Sequence, residues 1–291
     1  MFLPLESCAG DVFQQTLRAR RDTRRVTSPT APPASQPADS VLLPSRKLLV
    51  IELVIVLALS LGRSGIYGLV KLIGAATAPG GLSAQTTTMH GSLAPSRPWL
   101  DLTFQLLGVV FAVVPVALAG YLLVRSGTSL RDVWFRGAGV GDLGRGAAVA
   151  AAVGSVGVAF YLVMHALGLN LTVVADGLPP VWWKFPVLVL SALQNAVLEE
   201  FVVLGYVLVR LRQLGLGYPA AIGLSALLRG SYHLYQGIGG FVGNLAMGLL
   251  FGWLYRRWGR VTPLVAAHTL LDIGAFVGYA LLVQHVSWLP T

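Results

Sequence analysis

Long apolar segments separated by short polar stretches dominate the pattern of this 291-residue chain. Most are close to the roughly 20 residues that an α-helix needs to cross the hydrocarbon core of a bilayer. An isolated strand cannot satisfy its backbone hydrogen bonds in lipid, so every segment is predicted to be helical. The pattern therefore predicts an all-α, polytopic membrane helix bundle with about seven transmembrane helices. The seven segments lie at 48–75, 99–124, 146–168, 181–209, 218–236, 238–256 and 262–284.

The composition agrees with a membrane protein and excludes an ordinary soluble domain. Hydrophobic residues make up 55% of the chain and charged residues 11%, whereas a soluble domain has about 25% charged residues. Mean hydropathy is +0.71. Residues 1–45 differ from the rest, because they are basic ("RARRDTRR") and then rich in Pro, Ser and Ala. Such a stretch cannot bury enough apolar surface to fold. We expect a disordered cytoplasmic tail at 1–45 and a membrane domain at 46–291.

The positive charge is distributed as topology signals are. The net charge is +9, which in a soluble protein would suggest a nucleic-acid partner. Here the basic residues lie between apolar segments, so we expect contacts with lipid headgroups and no nucleic-acid partner. If the N-terminus is cytoplasmic, the outside loops hold only Arg97 and Lys184, in agreement with the positive-inside rule. The prediction is a multi-pass plasma-membrane protein with a cytoplasmic N-terminus.

Three of the last four apolar segments carry polar residues at helical spacing. A charge near the bilayer centre costs about 2.5–3.5 kcal/mol on insertion scales, so these groups must face one another, a cavity or a metal. Residues four apart share one face of a helix. The last four segments are therefore predicted to form a core around a shared polar cavity. The polar set consists of Asn195, Glu199 and Glu200 in segment four, Arg229 and His233 in segment five, and His268 and Asp272 in segment seven.

Activation of water is the chemistry that fits this set. A glutamate can act as general base for attack on a carbonyl, and Glu200 is slightly preferred over Glu199. With neutral histidines, three carboxylates and one guanidinium leave two negative charges, which either a divalent metal such as zinc or two retained protons would neutralise. Glu200, His233 and His268 are the candidate metal ligands. Without metal, the histidines could donate hydrogen bonds to the oxyanion. The residues leave both routes open.

Two asparagines are further candidates for contact with a charge or a substrate. Asn195 lies one turn before the glutamates and could orient them, and Asn244 in "FVGNLAMG" could line the cavity. A single buried asparagine in a span more often joins two helices.

The ordered set resembles the CPBP family of intramembrane proteases, also called the type II CAAX prenyl endopeptidase or Abi family. The family motifs are two glutamates with an arginine four residues later, a histidine usually preceded by phenylalanine at four residues, and a histidine followed by asparagine or aspartate at four residues. Glu199–Glu200, His233 and His268–Asp272 match in order and spacing, and the resemblance covers about 181–284. Leu204 occupies the arginine position and Arg229 the phenylalanine position. We hypothesise that the guanidinium has moved to the next helix and still pairs with the glutamates.

The resemblance implies an intramembrane endopeptidase, either glutamic or metal-dependent, that hydrolyses peptide bonds of membrane-associated proteins or peptides. It implies catalytic roles for Glu199, Glu200, His233, His268 and Asp272, in which a glutamate activates water. Eukaryotic members trim prenylated CAAX proteins, and bacterial ones are linked to peptide processing and bacteriocin immunity. Two alternatives stay open: a non-catalytic scaffold or immunity protein of the same family, and an ion- or proton-coupled transporter. A transporter should show paired discontinuous helices, which the pattern lacks.

Overall fold

Helices account for most of the residues that the structure, a computed structural model, describes, namely 44–283 and 285–286. The predicted tail therefore lies outside the described residues, apart from 44–45. The elements, in chain order, are α1 (Arg46–Ala58), α2 (Leu61–Thr77), β1 (Thr86–Gly91), α3 (Pro98–Arg125), α4 (Leu130–Phe135), α5 (Gly141–Ala166), β2 (Thr172–Gly177), α6 (Lys184–Glu200), α7 (Val209–Gln213), α8 (Tyr218–Ser231), α9 (Ile238–Trp258) and α10 (Thr262–Leu282). A π-helical stretch, Phe201–Leu208, joins α6 to α7 without a break.

The long apolar helices confirm the all-α, polytopic fold class. Within the described residues, five are long and apolar enough to cross a membrane: α3, α5, the continuous helix Lys184–Gln213, α9 and α10. The helices α1 and α2 meet at a 54° bend and count as a sixth span if they are taken together. The fifth predicted segment differs, because α8 has only 14 residues before it gives way to a turn and a 3₁₀-helix, Leu234–Gln236. Fourteen residues rise about 21 Å, which is less than the hydrocarbon thickness.

A pair of parallel strands, β1 and β2, is a feature that the helical pattern did not predict. Thr86 lies opposite Thr172, and the register continues to Gly91 opposite Gly177. The runs "TTTMHG" and "TVVADG" are rich in β-branched residues, which favour strands. The pair contacts the helical core, since the ring of His90 packs edge-on against Phe276 of α10 at 5.6 Å. Burial lowers the pKa of His90 below its ordinary value.

Glycines allow α8 to pack closely against α9. A Cβ atom on Gly248 would lie 2.8 Å from Cα of Ala226, and one on Gly252 would lie 2.7 Å from Cγ2 of Ile222. Both distances are too short for any residue larger than glycine without a shift. The predicted close helix contact is therefore confirmed for these two glycines, and it fixes the position of Arg229 on α8.

The helix α2 packs on the turn that follows α8. A Cβ atom on Gly65 would lie 2.6 Å from Oγ of Ser231, and one on Gly68 would lie 2.9 Å from the Ser231 carbonyl oxygen. The second half of the bent pair therefore supports the segment that carries His233.

The start of α10 lies inside the protein. Val261 donates its backbone N–H to the Val133 carbonyl at 3.0 Å, and Arg260 binds the buried carboxylate of Asp142 with donor–acceptor distances of 2.6 and 2.9 Å. The short helix α4 and the first turn of α5 thus hold the beginning of α10. This explains how His268, only six residues after Thr262, reaches the same level as the glutamates.

Candidate active site

The two adjacent glutamates at the end of α6 have different surroundings. The side chain of Glu200 is 0% exposed, whereas that of Glu199 is 14% exposed. Successive residues of a helix point about 100° apart, so one carboxylate can enter the core while its neighbour reaches an opening. Oε1 of Glu200 accepts from Nη2 of Arg229 at 2.6 Å and from Nδ1 of His268 at 2.7 Å. Glu200 is therefore held from two other helices.

The guanidinium of Arg229 lies at the centre of the cluster. It is fully buried, and its Nη2 also lies 3.4 Å from Oε2 of Glu199, so one arginine contacts both glutamates. Its Cζ lies 5.1 Å from the ring centroid of Phe251 on α9. Leu204 is buried within the π-helical stretch. The structure thus supports the hypothesis that α8 supplies the guanidinium that the family motif places on the preceding helix.

The imidazole of His268 joins Glu200 to Asp272. Its Nδ1 donates to Glu200, since a carboxylate only accepts, and its Nε2 lies 3.6 Å from Oδ1 of Asp272. The amide of Asn195 lies 3.5 Å from Oδ2 of Asp272, a long contact. The predicted face of α10 and the turn before the glutamates therefore meet, with Asp272 between them.

The turn after α8 brings two side chains to Glu199. Nδ1 of His233 lies 3.0 Å from the Arg229 carbonyl oxygen, and because that oxygen accepts, Nδ1 carries the proton. In neutral His233, Nε2 is then unprotonated. The hydroxyl of Tyr232 donates to Oε2 of Glu199 at 2.8 Å, and its ring lies 4.7 Å from that of His233. Sequence reasoning missed Tyr232; its only signal was its place directly before His233 in "GSYHLY".

The other predicted site asparagine, Asn244, is not brought to the carboxylates. Its amide donates at 3.0 Å to the Gly240 carbonyl, one turn earlier on α9. The expectation that Asn244 contacts substrate or charge therefore has no support from the geometry.

The predicted metal ligands, Glu200, His233 and His268, do not fit a divalent cation. The oxygen of Glu200 and Nδ1 of His268 bond to each other, and Arg229 brings a positive charge within 3.0 Å of that nitrogen. A second cation at this point would be repelled. In the described part of the chain, moreover, no group of three His, Cys, Asp or Glu side chains could hold a metal.

Comparison with known families agrees with the place of this cluster. Residues 181–274 match the family model of the type II CAAX prenyl endopeptidase Rce1-like proteins. The match confirms the resemblance that the motifs indicated. This Rce1-like region runs from the loop before α6 into α10 and includes every residue of the cluster from Asn195 to Asp272. No curated protein and no solved structure matches the chain.

Proposed function

We propose that this chain is an intramembrane endopeptidase that hydrolyses peptide bonds of membrane-associated proteins or peptides, with Glu199 as the general base. The observation that carries the proposal is the asymmetry of the two glutamates within an Rce1-like region. One carboxylate is neutralised in the core by a guanidinium and an imidazole, while its neighbour is partly exposed. A purely structural role would not require the second, more exposed carboxylate.

The choice of Glu199 reverses the slight preference for Glu200. A general base must reach the proton that it abstracts, directly or through one water molecule. Glu200 is wholly buried, and its bonded oxygen already has two donors. Glu199 is partly exposed, and the donors that contact it, Tyr232 and Arg229, both bind Oε2. Its Oε1 has no bond to the described residues, so this oxygen is the one available to a water molecule.

The remaining side chains have complementary roles in the proposed reaction. Unprotonated Nε2 of His233 accepts a hydrogen bond from the attacking water. The water oxygen bonds to the scissile carbonyl carbon while Glu199 takes its proton. Collapse of the tetrahedral intermediate breaks the C–N bond, and Glu199 returns the proton to the leaving amine. The amide of Asn195 has a second N–H that can donate to the oxyanion.

The proposal needs no metal, because Arg229 provides the positive charge beside Glu200. The substrate class follows from the setting: the cluster lies within helices that can span a bilayer, so the peptide must be membrane-associated. A prenylated substrate, a plasma-membrane location and a cytoplasmic N-terminus remain predictions.

The test is cleavage of membrane-anchored and lipidated peptides by the purified protein in detergent, read by mass spectrometry. Wild type is compared with Glu199→Gln and with Asp132→Asn, a change at an exposed carboxylate. We expect cleavage by wild type and Asp132→Asn, and loss by a factor of about 100 or more in Glu199→Gln, the range typical of general bases. A chelator should leave the rate unchanged. Cleavage by Glu199→Gln at the wild-type rate would overturn the assignment of the base.

The rival functions predict different results in the same preparation. A scaffold or immunity protein gives no cleavage by wild type on any peptide, and its function in cells survives Glu199→Gln. A coupled transporter gives substrate-dependent proton flux in liposomes. We expect no such flux.

A further inference from the structure

Three arginines converge on a single turn at the end of the bundle where α7 ends and α8 begins. The Cζ atoms of Arg212 and Arg256 lie 4.2 Å and 4.9 Å from the ring centroid of Tyr218. Nη2 of Arg46 lies 3.7 Å from the position that a Cβ atom of Gly215 would occupy. These residues come from α1, α7 and α9, so three helix ends bring positive charge to one place. We call Arg46, Arg212 and Arg256 around Tyr218 the guanidinium cluster.

The guanidinium cluster has no acidic partner among the described residues. Every carboxylate in 44–283 contacts a cation or a hydrogen-bond donor elsewhere: Glu52, Asp132, Asp142, Asp176, Glu199, Glu200 and Asp272 bind basic side chains, and Asp101 binds Ser92. Like charges at short distance repel, and the face of one tyrosine offsets this only in part. The arrangement is therefore complementary to an anion.

The position of the guanidinium cluster indicates where that anion comes from. Arg46 is the first residue of α1, and Arg256 lies in the last turn of α9, so the cluster is at the ends of apolar helices. Trp253, three residues before Arg256, is 54% exposed. Exposed tryptophans next to arginines at helix ends are typical of the level of lipid headgroups.

From this geometry we propose that the guanidinium cluster binds the phosphodiester headgroup of an anionic phospholipid. Guanidinium groups bind phosphate oxygens in pairs, which suits two arginines held on opposite sides of a shared ring. Lipid binding here would fix the ends of α1, α8 and α9 relative to one another. It is independent of the proposed protease activity.

The test uses the full chain, delipidated in neutral detergent and titrated with phosphatidylglycerol or phosphatidylcholine, with bound lipid counted by native mass spectrometry. Each arginine near a charged surface contributes about 1 kcal/mol, so we expect about a 30-fold loss of apparent affinity for phosphatidylglycerol in Arg212→Gln/Arg256→Gln. The control is Arg97→Gln/Arg131→Gln, which removes the same charge from two exposed arginines elsewhere. We expect wild-type affinity from it.

Further arms separate the possible outcomes. Tyr218→Leu keeps both charges but removes the shared ring, so it should also weaken phosphatidylglycerol binding, and it serves as the test if the double variant does not fold. Equal loss in the control pair, or equal affinity for phosphatidylcholine, would overturn the proposal. Displacement of the lipid by millimolar inorganic phosphate would also overturn it, in favour of a site for a soluble anion.

Discussion

The hydroxyl of Tyr232 donates a 2.8 Å hydrogen bond to Oε2 of Glu199, while the next residue in the chain, Glu200, is bound by Arg229 and His268. Two carboxylates that are neighbours in sequence are therefore held by different helices and in different states of exposure. The tyrosine fixes one oxygen of Glu199 and leaves the other free. This division of labour gives each residue of the cluster a separate experimental signature.

Removal of the Tyr232 hydroxyl should lower activity without unfolding the protein. A hydrogen bond to a charged group contributes about 1.5–3 kcal/mol, so Tyr232→Phe is expected to lower kcat about tenfold or more while Tm changes little. The matched control is Tyr235→Phe on the same turn, whose hydroxyl accepts from Gln236 instead. Peptide cleavage and thermal unfolding would be measured on both. A wild-type kcat in Tyr232→Phe would show that the hydroxyl does not position Glu199.

The Arg229–Glu200 pair should be essential for stability as a pair, and each partner alone should be harmful. Loss of one partner leaves a buried, uncompensated charge, which costs about 3–5 kcal/mol, whereas replacing both partners by apolar residues is often neutral. We expect Arg229→Met and Glu200→Met each to lower the free energy of unfolding strongly, and the double variant to recover most of it. Denaturation in detergent completes this double-mutant cycle. Additive losses would contradict the pairing.

The residues that bear charge within apolar segments could be predicted from sequence, because a charge in lipid needs a partner and helical spacing shows which groups share a face. This reasoning brought Glu200, Arg229 and His268 together before any coordinates were available. It could not choose between Glu199 and Glu200, because their roles depend on which helix packs against each side of α6. Tyr232 was missed since a tyrosine carries no charge, and α8 was drawn too long because its turn at 232–233 has no helix-breaking residue. The strands were missed because membrane patterning favours helices everywhere.

A second buried ion pair, far from the candidate site, should affect stability alone. Glu52 of α1 binds Arg210 at 3.1 Å, and that arginine is fully buried and also donates to the Leu122 carbonyl at 2.7 Å. Glu52→Gln leaves Arg210 without its counter-charge, so the free energy of unfolding should fall by about 3–5 kcal/mol. The exposed pair Asp132–Arg136 is the comparison, and Asp132→Asn should cost under about 1 kcal/mol. Similar losses in the two variants would show that burial of the Glu52 pair is not what matters.

The two nitrogens of His233 should have separable roles. Nδ1 donates to the Arg229 carbonyl and so holds the turn after α8, whereas Nε2 faces the proposed water. The amide nitrogen of asparagine can replace Nδ1 as a donor, but asparagine has no group at the position of Nε2. His233→Asn should therefore keep a Tm near that of wild type and lose activity by about 100-fold. His233→Ala removes both nitrogens and should lose stability as well, by about 1 kcal/mol for the missing hydrogen bond. If His233→Asn cleaved peptides at the wild-type rate, Nε2 would have no part in the reaction, and Glu199 would have to orient the water with another acceptor.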